Sequence, residues 1–186
     1  MAEANSQIII GAAMVRDEER PSELGVEGLY DQYAHAMFRY ALALTGSVDD
    51  AEDAVQEVFV RIARDMKRLR KVSSIKSYLF SATRNAAYSQ LRGKKRRDHL
   101  HEAICVDIRV KLEEETGGKV ATSAALCEAF GGLPLDQREV LLLKVFDEMT
   151  FKEIAETTGA SINTVASRYR YGIERLRQAL EVNDNG

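Results

Sequence analysis

The sequence predicts an all-α protein of two small helical domains joined by a flexible acidic linker, the second being a helix-turn-helix domain. Only two of the 186 residues are proline and 45% are apolar, which favours helices with hydrophobic cores. Apolar residues also recur at helical spacing along each long segment. Charge is segregated, because residues 61–97 are basic and residues 98–115 carry more acids than bases, although the net charge is only −3. That small net charge argues against a protein that coats DNA generically.

The stretch 150–180 is predicted to form the helix-turn-helix. Thr150 and Glu153 have capping-box spacing, Gly159 suits a sharp turn, and Ser161 can cap the second helix. The apolar positions of that second helix are Ile162, Val165, Tyr169, Ile173, Leu176 and Leu180. The positions left facing outward are Asn163, Thr164, Ser167, Arg168, Arg170 and Tyr171. A polar, basic second helix of this kind enters a DNA major groove, and the alternative is a helical hairpin with a solvated face.

Residues 24–97 are predicted to form the first domain. Its first helix ends at Gly46, and its second runs roughly from Asp50 to Leu69. The apolar stripe of the second helix is Ala51, Ala54, Val55, Val58, Phe59, Ile62, Ala63 and Met66. The opposite face carries Glu52, Asp53, Gln56 and Glu57, followed by Val60. These acids either complement the helix dipole or form a docking surface for a basic partner helix, and their spacing leaves both interpretations open.

A third helix, Ser74 to Arg92, lies within the basic stretch. Its outward positions are Lys76, Tyr78, Arg84, Asn85, Tyr88 and Ser89. Cations interleaved with aromatic and amide side chains suit stacking on unpaired bases and neutralisation of phosphates. The alternative interpretation is a solvated charged face. The mixture favours contact with nucleic acid.

The remaining segments are predicted to be an N-terminal tail (1–23), the linker (98–132) and the second domain (133–182). Leu133 and Pro134 open a helix in that domain, in which Asp136 and Glu139 again have capping-box spacing. The apolar side of this helix is Val140, Leu141, Leu143 and Phe146. Part of the linker, for example 121–130, is compatible with a helix.

The sequence lacks features that several classes of function require. No phosphate loop and no nucleophile–base pairing are found, so we expect neither an enzyme nor a small-molecule substrate or cofactor. Cys105 and Cys127 lie far apart, which makes a disulfide framework unexpected and fits a reducing cytoplasm. With His99 and His101 these cysteines match no zinc pattern, so no metal is expected. The apolar run 8–15 is too short for a membrane span, and no direct insertion is expected.

Four short motifs, in this order and spacing, resemble the extracytoplasmic-function sigma factors of bacterial RNA polymerase. They are the run Ala51–Phe59; the run Ser77–Phe80 followed by Arg84 and Asn85; Leu133-Pro134 followed by Gln137–Val140; and Ile154–Glu156 followed by Thr164-Val165 and Ser167-Arg168. Each motif alone is weak, whereas the ordered set is specific. The similarity covers most of 29–97 and 133–180.

The resemblance implies a role for each polar face. The surface that grips the polymerase clamp corresponds to Glu52, Asp53, Gln56, Glu57 and Val60. The segment that reads and melts the minus-ten element corresponds to Leu69, Lys76, Tyr78, Arg84, Asn85, Tyr88, Ser89 and Arg92, with Asn85 near a flipped base. The minus-thirty-five reader corresponds to Asn163, Thr164, Ser167, Arg168, Arg170, Tyr171 and Arg175. The implied partners are the clamp and flap regions of core RNA polymerase, promoter DNA and an anti-sigma factor.

The chain departs from the family pattern at three places that bear on promoter sequence. Tyr78 stands where the family usually has Trp, Asn163 stands where a Gly is usual, and Ala166 occupies a position that is commonly basic. The competing interpretation is a helix-turn-helix regulator that binds duplex DNA without polymerase. A sigma factor needs core polymerase, and this requirement separates the two.

Overall fold

The computed structural model describes residues 24–69, 71–91 and 123–184, and within them the chain is helical with no strand. The helices are α1 (Val26–Thr45), α2 (Val48–Arg64), α3 (Met66–Leu69), α4 (Ile75–Leu91), α5 (Ser123–Gly131), α6 (Leu135–Val145), α7 (Phe151–Thr158) and α8 (Ile162–Asp184). The predicted tail 1–23, Arg92 and the linker residues up to 122 lie outside the described residues. The predicted all-α class is confirmed.

Helices α1, α2 and α4 pack against one another to form the first domain. Gly46 ends α1 in a left-handed conformation (φ 66°), and its N–H donates to Leu42 O at 2.8 Å. Ser47 then caps α2 by accepting a hydrogen bond from the N–H of Asp50. Most of the predicted stripe of α2 is buried, as listed: Ala51, Ala54, Val55, Val58, Phe59 and Ile62.

The second predicted helix is interrupted, which corrects the expectation of one helix from Asp50 to Leu69. It ends at Arg64, and Asp65 adopts a non-helical conformation (φ −143°, ψ 64°). The Asp65 carboxylate accepts a hydrogen bond from Arg68 N at 3.1 Å and so caps the short helix α3. Ala63, predicted to be buried, is exposed next to this break.

Helices α5 to α8 form the second domain, and its helix-turn-helix is built as predicted. Thr150 Oγ1 accepts from Glu153 N at 3.2 Å, while the Glu153 carboxylate accepts from Thr150 N at 2.8 Å, completing the capping box. Gly159 makes the turn with φ 73°, and Ser161 Oγ caps α8 by accepting from Thr164 N at 3.1 Å. Helix α5 lies within the predicted linker, yet it packs on α8 with Leu126 and Phe130 buried.

Three residues of the second domain differ from the sequence-based expectation. Ile162, assigned to the apolar side of α8, is 50% exposed because the first turn of that helix projects beyond the core. Glu139 does not close a capping box with Asp136, because its carboxylate is buried against the first domain. Cys127 is disulfide-bonded, contrary to the expectation for the cysteines, and Cys105 lies outside the described residues.

The second domain packs directly on the first. Helix α1 contacts α6, and α4 contacts α7. Polar side chains of both domains pair at this boundary, among them Arg39 with Asp147 and Tyr40 with Glu139, and the sequence did not indicate these pairs. Among the described helices, none has the length and apolar character that crossing a membrane requires.

Close packing of α8 on α6 depends on a residue without a side chain. Gly172 is buried, and a Cβ there would lie 2.8 Å from Leu141 Cδ1 and 3.2 Å from Leu141 Cγ. Leu141 is itself only 1% exposed, so it has little freedom to move away. The glycine therefore sets the separation of these helices.

We expect Gly172→Val to lower the free energy of unfolding by about 1–3 kcal/mol, because overpacking forces side chains off their preferred rotamers. Chemical denaturation of the full chain measures this. Gly131→Val is the matched control, since no atom lies within 4 Å of a Cβ built there. Its effect should stay within about 0.5 kcal/mol, as for other open surface positions. Equal losses in both variants would contradict the packing argument.

Candidate nucleic-acid and partner interfaces

The first candidate surface is the outer face of α2. Glu52, Asp53 and Gln56 are exposed, and Val60 is 48% exposed on the same side of the helix. Glu57 is half-buried and forms an ion pair with Arg61 one turn away, so part of its charge is already matched. Because the opposite side of α2 is core, this face is rigidly presented, with an apolar residue at the end of an acidic row.

The second candidate surface is on α4, where the predicted residues divide into two groups. Asn85 and Ser89 are exposed and lie four residues apart, hence on one side of the helix. Tyr78 and Tyr88 are partly buried and pack against the core. Asn85 thus has free access to a base, whereas each tyrosine offers only part of its ring.

Two predicted cations of this surface are held by the second domain. The guanidinium of Arg84 lies 4.7 Å from the ring centroid of Tyr88 and donates to the carboxylate of Glu139 at 2.7 Å. The ammonium of Lys76 donates to the backbone carbonyl of Asp147. In this arrangement both half-buried cations direct hydrogen-bond donors at the second domain.

Leu69 does not belong to this surface. It is 3% exposed and lies in the core, because the short helix α3 turns its side chain inward. Its burial removes Leu69 from the exposed surface of α4, and its contact with DNA stays a prediction. Arg92, the last residue of the predicted set, lies outside the described residues.

The third candidate surface is the first half of α8. Asn163 and Thr164 are exposed in the first turn, Ser167 is half-buried, and Arg170 and Arg175 are exposed further along. Tyr171 is 54% exposed, and its ring centroid lies 5.2 Å from the guanidinium of Arg170. Ile162, next to Asn163, adds an exposed apolar side chain to this surface, and the sequence analysis did not predict it. The polar residues on either side of Ile162 in the sequence could have indicated that it is exposed.

Arg168 is engaged within its own domain. Its Nε lies 2.9 Å from Asp136 Oδ2 of helix α6, and its side chain is 30% exposed. It contributes to a DNA-reading face only if it exchanges Asp136 for DNA. The structure gives Asn163 no such ion pair, whereas the hydroxyl of Thr164 lies 2.8 Å from Ser161 Oγ.

The start of the helix-turn-helix is electrostatically anchored. Burial alone would raise the pKa of Glu153, but its hydrogen bonds from Thr150, together with nearby Lys76 and Lys144, lower the pKa below the usual value. Glu153 therefore stays ionised and keeps the capping box closed at neutral pH. Among the described residues, no cluster of histidine, cysteine or acidic side chains could hold a metal ion.

Comparison with known proteins identifies two regions of one family along the chain. Residues 29–97 match the family Sigma-70 region 2, and residues 123–176 match Sigma-70, region 4. The chain is 30% identical over 158 residues to the ECF RNA polymerase sigma factor SigE of Mycolicibacterium smegmatis, covering 82% of this chain and 60% of that relative. It is 28% identical over 158 residues to the RNA polymerase sigma factor SigZ of Bacillus subtilis, covering 85% and 88%.

Solved structures show the same fold. The sigma factor RpoE of Bartonella quintana, solved with the anti-sigma factor NepR, is similar with a TM-score of 0.61 at 23% identity, over 84% of this chain and 96% of that one. CnrH, solved with the cytosolic domain of CnrY, gives a TM-score of 0.61 at 19% identity, over 84% and 88%. The matches to Sigma-70 regions 2 and 4 define a sigma-type transcription factor. The chain belongs to the sigma-70 family, as an ECF sigma factor.

Proposed function

We propose that this sigma factor binds core RNA polymerase through the acidic face of α2, reads the minus-thirty-five element through α8, and opens the minus-ten element through α4. The observation that carries the proposal is that each of these helices buries an apolar side in a domain core and presents a polar side to solvent. Such faces are rigid, as a recognition surface requires. In this proposal the chain acts in the cytoplasm as a non-catalytic subunit of the polymerase.

An anti-sigma factor is a further proposed partner. The solved structures similar to this chain hold NepR and the cytosolic domain of CnrY, which supports a regulator of the same kind for this chain. We propose that the second domain also binds the flap region of the polymerase.

Run-off transcription tests the proposal as a whole. Purified chain, core polymerase and genomic fragments should give discrete transcripts that are missing when either protein is left out. A helix-turn-helix regulator would instead retard duplex promoter fragments without polymerase. Discrete binding to duplex DNA alone, with no transcript from the complete mixture, would exclude the sigma function.

The clamp face makes the first specific prediction of this function. Asp53→Lys should weaken assembly with core polymerase at least about tenfold, because like charges placed together at an interface cost several kcal/mol. Fluorescence anisotropy with labelled core measures the affinity. Glu128→Lys is the matched control, since Glu128 is an exposed acid on α5 and the change in net charge is the same. Equal effects of the two variants would show that α2 is not the docking face.

The recognition helix makes a second prediction. Asn163 can bond an adenine edge with both its amide donor and its acceptor, a contact worth about 1–3 kcal/mol of discrimination. Asn163→Ala should therefore relax base preference at one minus-thirty-five position in a promoter library. Arg177→Ala serves as the comparison, because Arg177 is exposed and further along α8, where phosphate contact would weaken all promoters alike. If both variants lost activity uniformly across the promoter library, Asn163 would not be a residue that reads a base.

A third prediction concerns Asn85. Extruding a base from a duplex costs a few kcal/mol, which a protein can recover by binding the unstacked base. Asn85→Ala should lower open-complex formation on duplex promoter by about one to two orders of magnitude, corresponding to about 1.4–3 kcal/mol. On a pre-melted template with an abasic minus-ten site, the variant should match wild type. Equal loss on both templates, with a lower melting temperature, would mark Asn85 as structural.

A further inference from the structure

The first turn of α8 exposes an isoleucine that the domain core does not use. Ile162 is 50% exposed and directly follows Ser161, whose hydroxyl caps the helix by accepting from Thr164 N at 3.1 Å. Val165, three positions further on, is fully buried and supplies the core contact of this turn. The cap and the buried valine account for how the turn is held, so the exposed side chain of Ile162 is open to a binding partner.

Ile162 lies at the edge of the outer face of α8. Buried Val165 and Leu176 mark the side of the helix that faces the core, and exposed Asn163 lies on the opposite side. Half-buried Ala166 lies one turn from Ile162, at the spacing that makes residues neighbours on a helix surface. Two apolar side chains therefore form an edge beside the amide group of Asn163.

The charge of this part of the helix-turn-helix suits a polyanion. No acidic residue occurs between Glu156 and Glu174, whereas two arginines do, and one of them, Arg170, is exposed. Glu174 ends the stretch, and its carboxylate accepts from Gln178 Nε2 at 2.9 Å. The acid-free part of α8 is about ten residues long, or about 15 Å, which is enough to enter a major groove.

The chemistry of an isoleucine selects one base among the four. In the major groove thymine presents its C5-methyl group, whereas the recognition groups of the other bases there are hydrogen-bond donors and acceptors. Ile162 has no polar atom in its side chain, and pressing it against a polar base edge would remove water from that edge without replacing the hydrogen bonds. A thymine methyl group is therefore the partner that this side chain favours.

We propose that Ile162 is a specificity-determining residue that contacts the C5-methyl group of a thymine in the minus-thirty-five element. This inference rests on the proposed role of α8 as the minus-thirty-five reader. Asn163, next to Ile162, suits an adenine edge, so both residues favour A·T pairs. The element therefore contains a thymine at which the methyl group, and not the hydrogen-bonding pattern alone, carries the preference.

Replacement of thymine by deoxyuridine tests the proposal, because deoxyuridine keeps the base pairing and lacks only the methyl group. Run-off transcription locates the promoters, and each thymine of the minus-thirty-five region is then replaced in turn. At one position the replacement should lower the affinity of the wild-type holoenzyme for labelled duplex about fourfold. That factor corresponds to about 0.8 kcal/mol, the contribution of one buried methyl-sized group. Fluorescence anisotropy measures the affinity.

The variant Ile162→Ser assigns the effect to this side chain. At the sensitive position it should bind the thymine and deoxyuridine duplexes equally, whereas Ile162→Val keeps two methyl groups and should retain the preference for thymine. Val48→Ser is the matched control, because Val48 is an apolar residue in the first turn of α2, 39% exposed, and belongs to none of the proposed faces. It should keep the fourfold preference. Circular dichroism establishes that each variant is folded.

Two results would overturn the proposal. One is a wild-type holoenzyme for which deoxyuridine lowers the affinity at no position, a comparison that needs no variant. The other is a preference for thymine that persists in Ile162→Ser, which would place its cause in the shape of the DNA or in another residue. Failure of the sigma function itself is distinguishable, because the all-thymine promoter would then give no transcript. If the chain bound duplex DNA without polymerase, the same duplexes would be measured with the chain alone.

Discussion

The buried carboxylate of Glu139 is the constraint on which the arrangement of this protein depends. A charge removed from water must be met by hydrogen-bond donors, and here the donors come from the other domain, Tyr40 on α1 and Arg84 on α4. Burial by itself would lower the pKa of Arg84, but the hydrogen bond and charge of Glu139, together with Tyr40 and Tyr88, outweigh that effect and raise the pKa. The guanidinium therefore stays charged, and three helices are tied together at one point.

This arrangement leaves the helices unequally accessible to a binding partner. The outer face of α2 and the first turn of α8 point into solvent, whereas α4 is divided between an exposed side at Asn85 and a side turned to the second domain. The ion pair of Arg168 on α8 with Asp136 on α6 is a further internal contact, this time within the second domain. On the proposed assignment of faces, binding to promoter DNA would replace existing contacts at Arg84 and Arg168 and make new contacts at Asn85 and Asn163.

Local signals in the sequence predicted the elements well, because those signals act over one or two helical turns. The capping box at Thr150, the left-handed glycines at 46 and 159, and the apolar stripe of α2 each involve residues close in the chain. The prediction failed where the local pattern around a residue suggested one role and the tertiary structure gave it another. Glu139 had capping-box spacing but bonds to another domain, and Leu69 ended a basic helix but turns into the core.

The sequence by itself determined the all-α class, the helix-turn-helix and the family to which the chain belongs, since periodicity, caps and motif order are local properties. Only the tertiary structure decided how the domains meet. The groups that join them, Tyr40 with Glu139 and Arg39 with Asp147, are about a hundred residues apart, and each looks like an ordinary polar residue in its own segment. Long-range pairing of this kind depends on which surfaces meet on folding, and no local pattern records it.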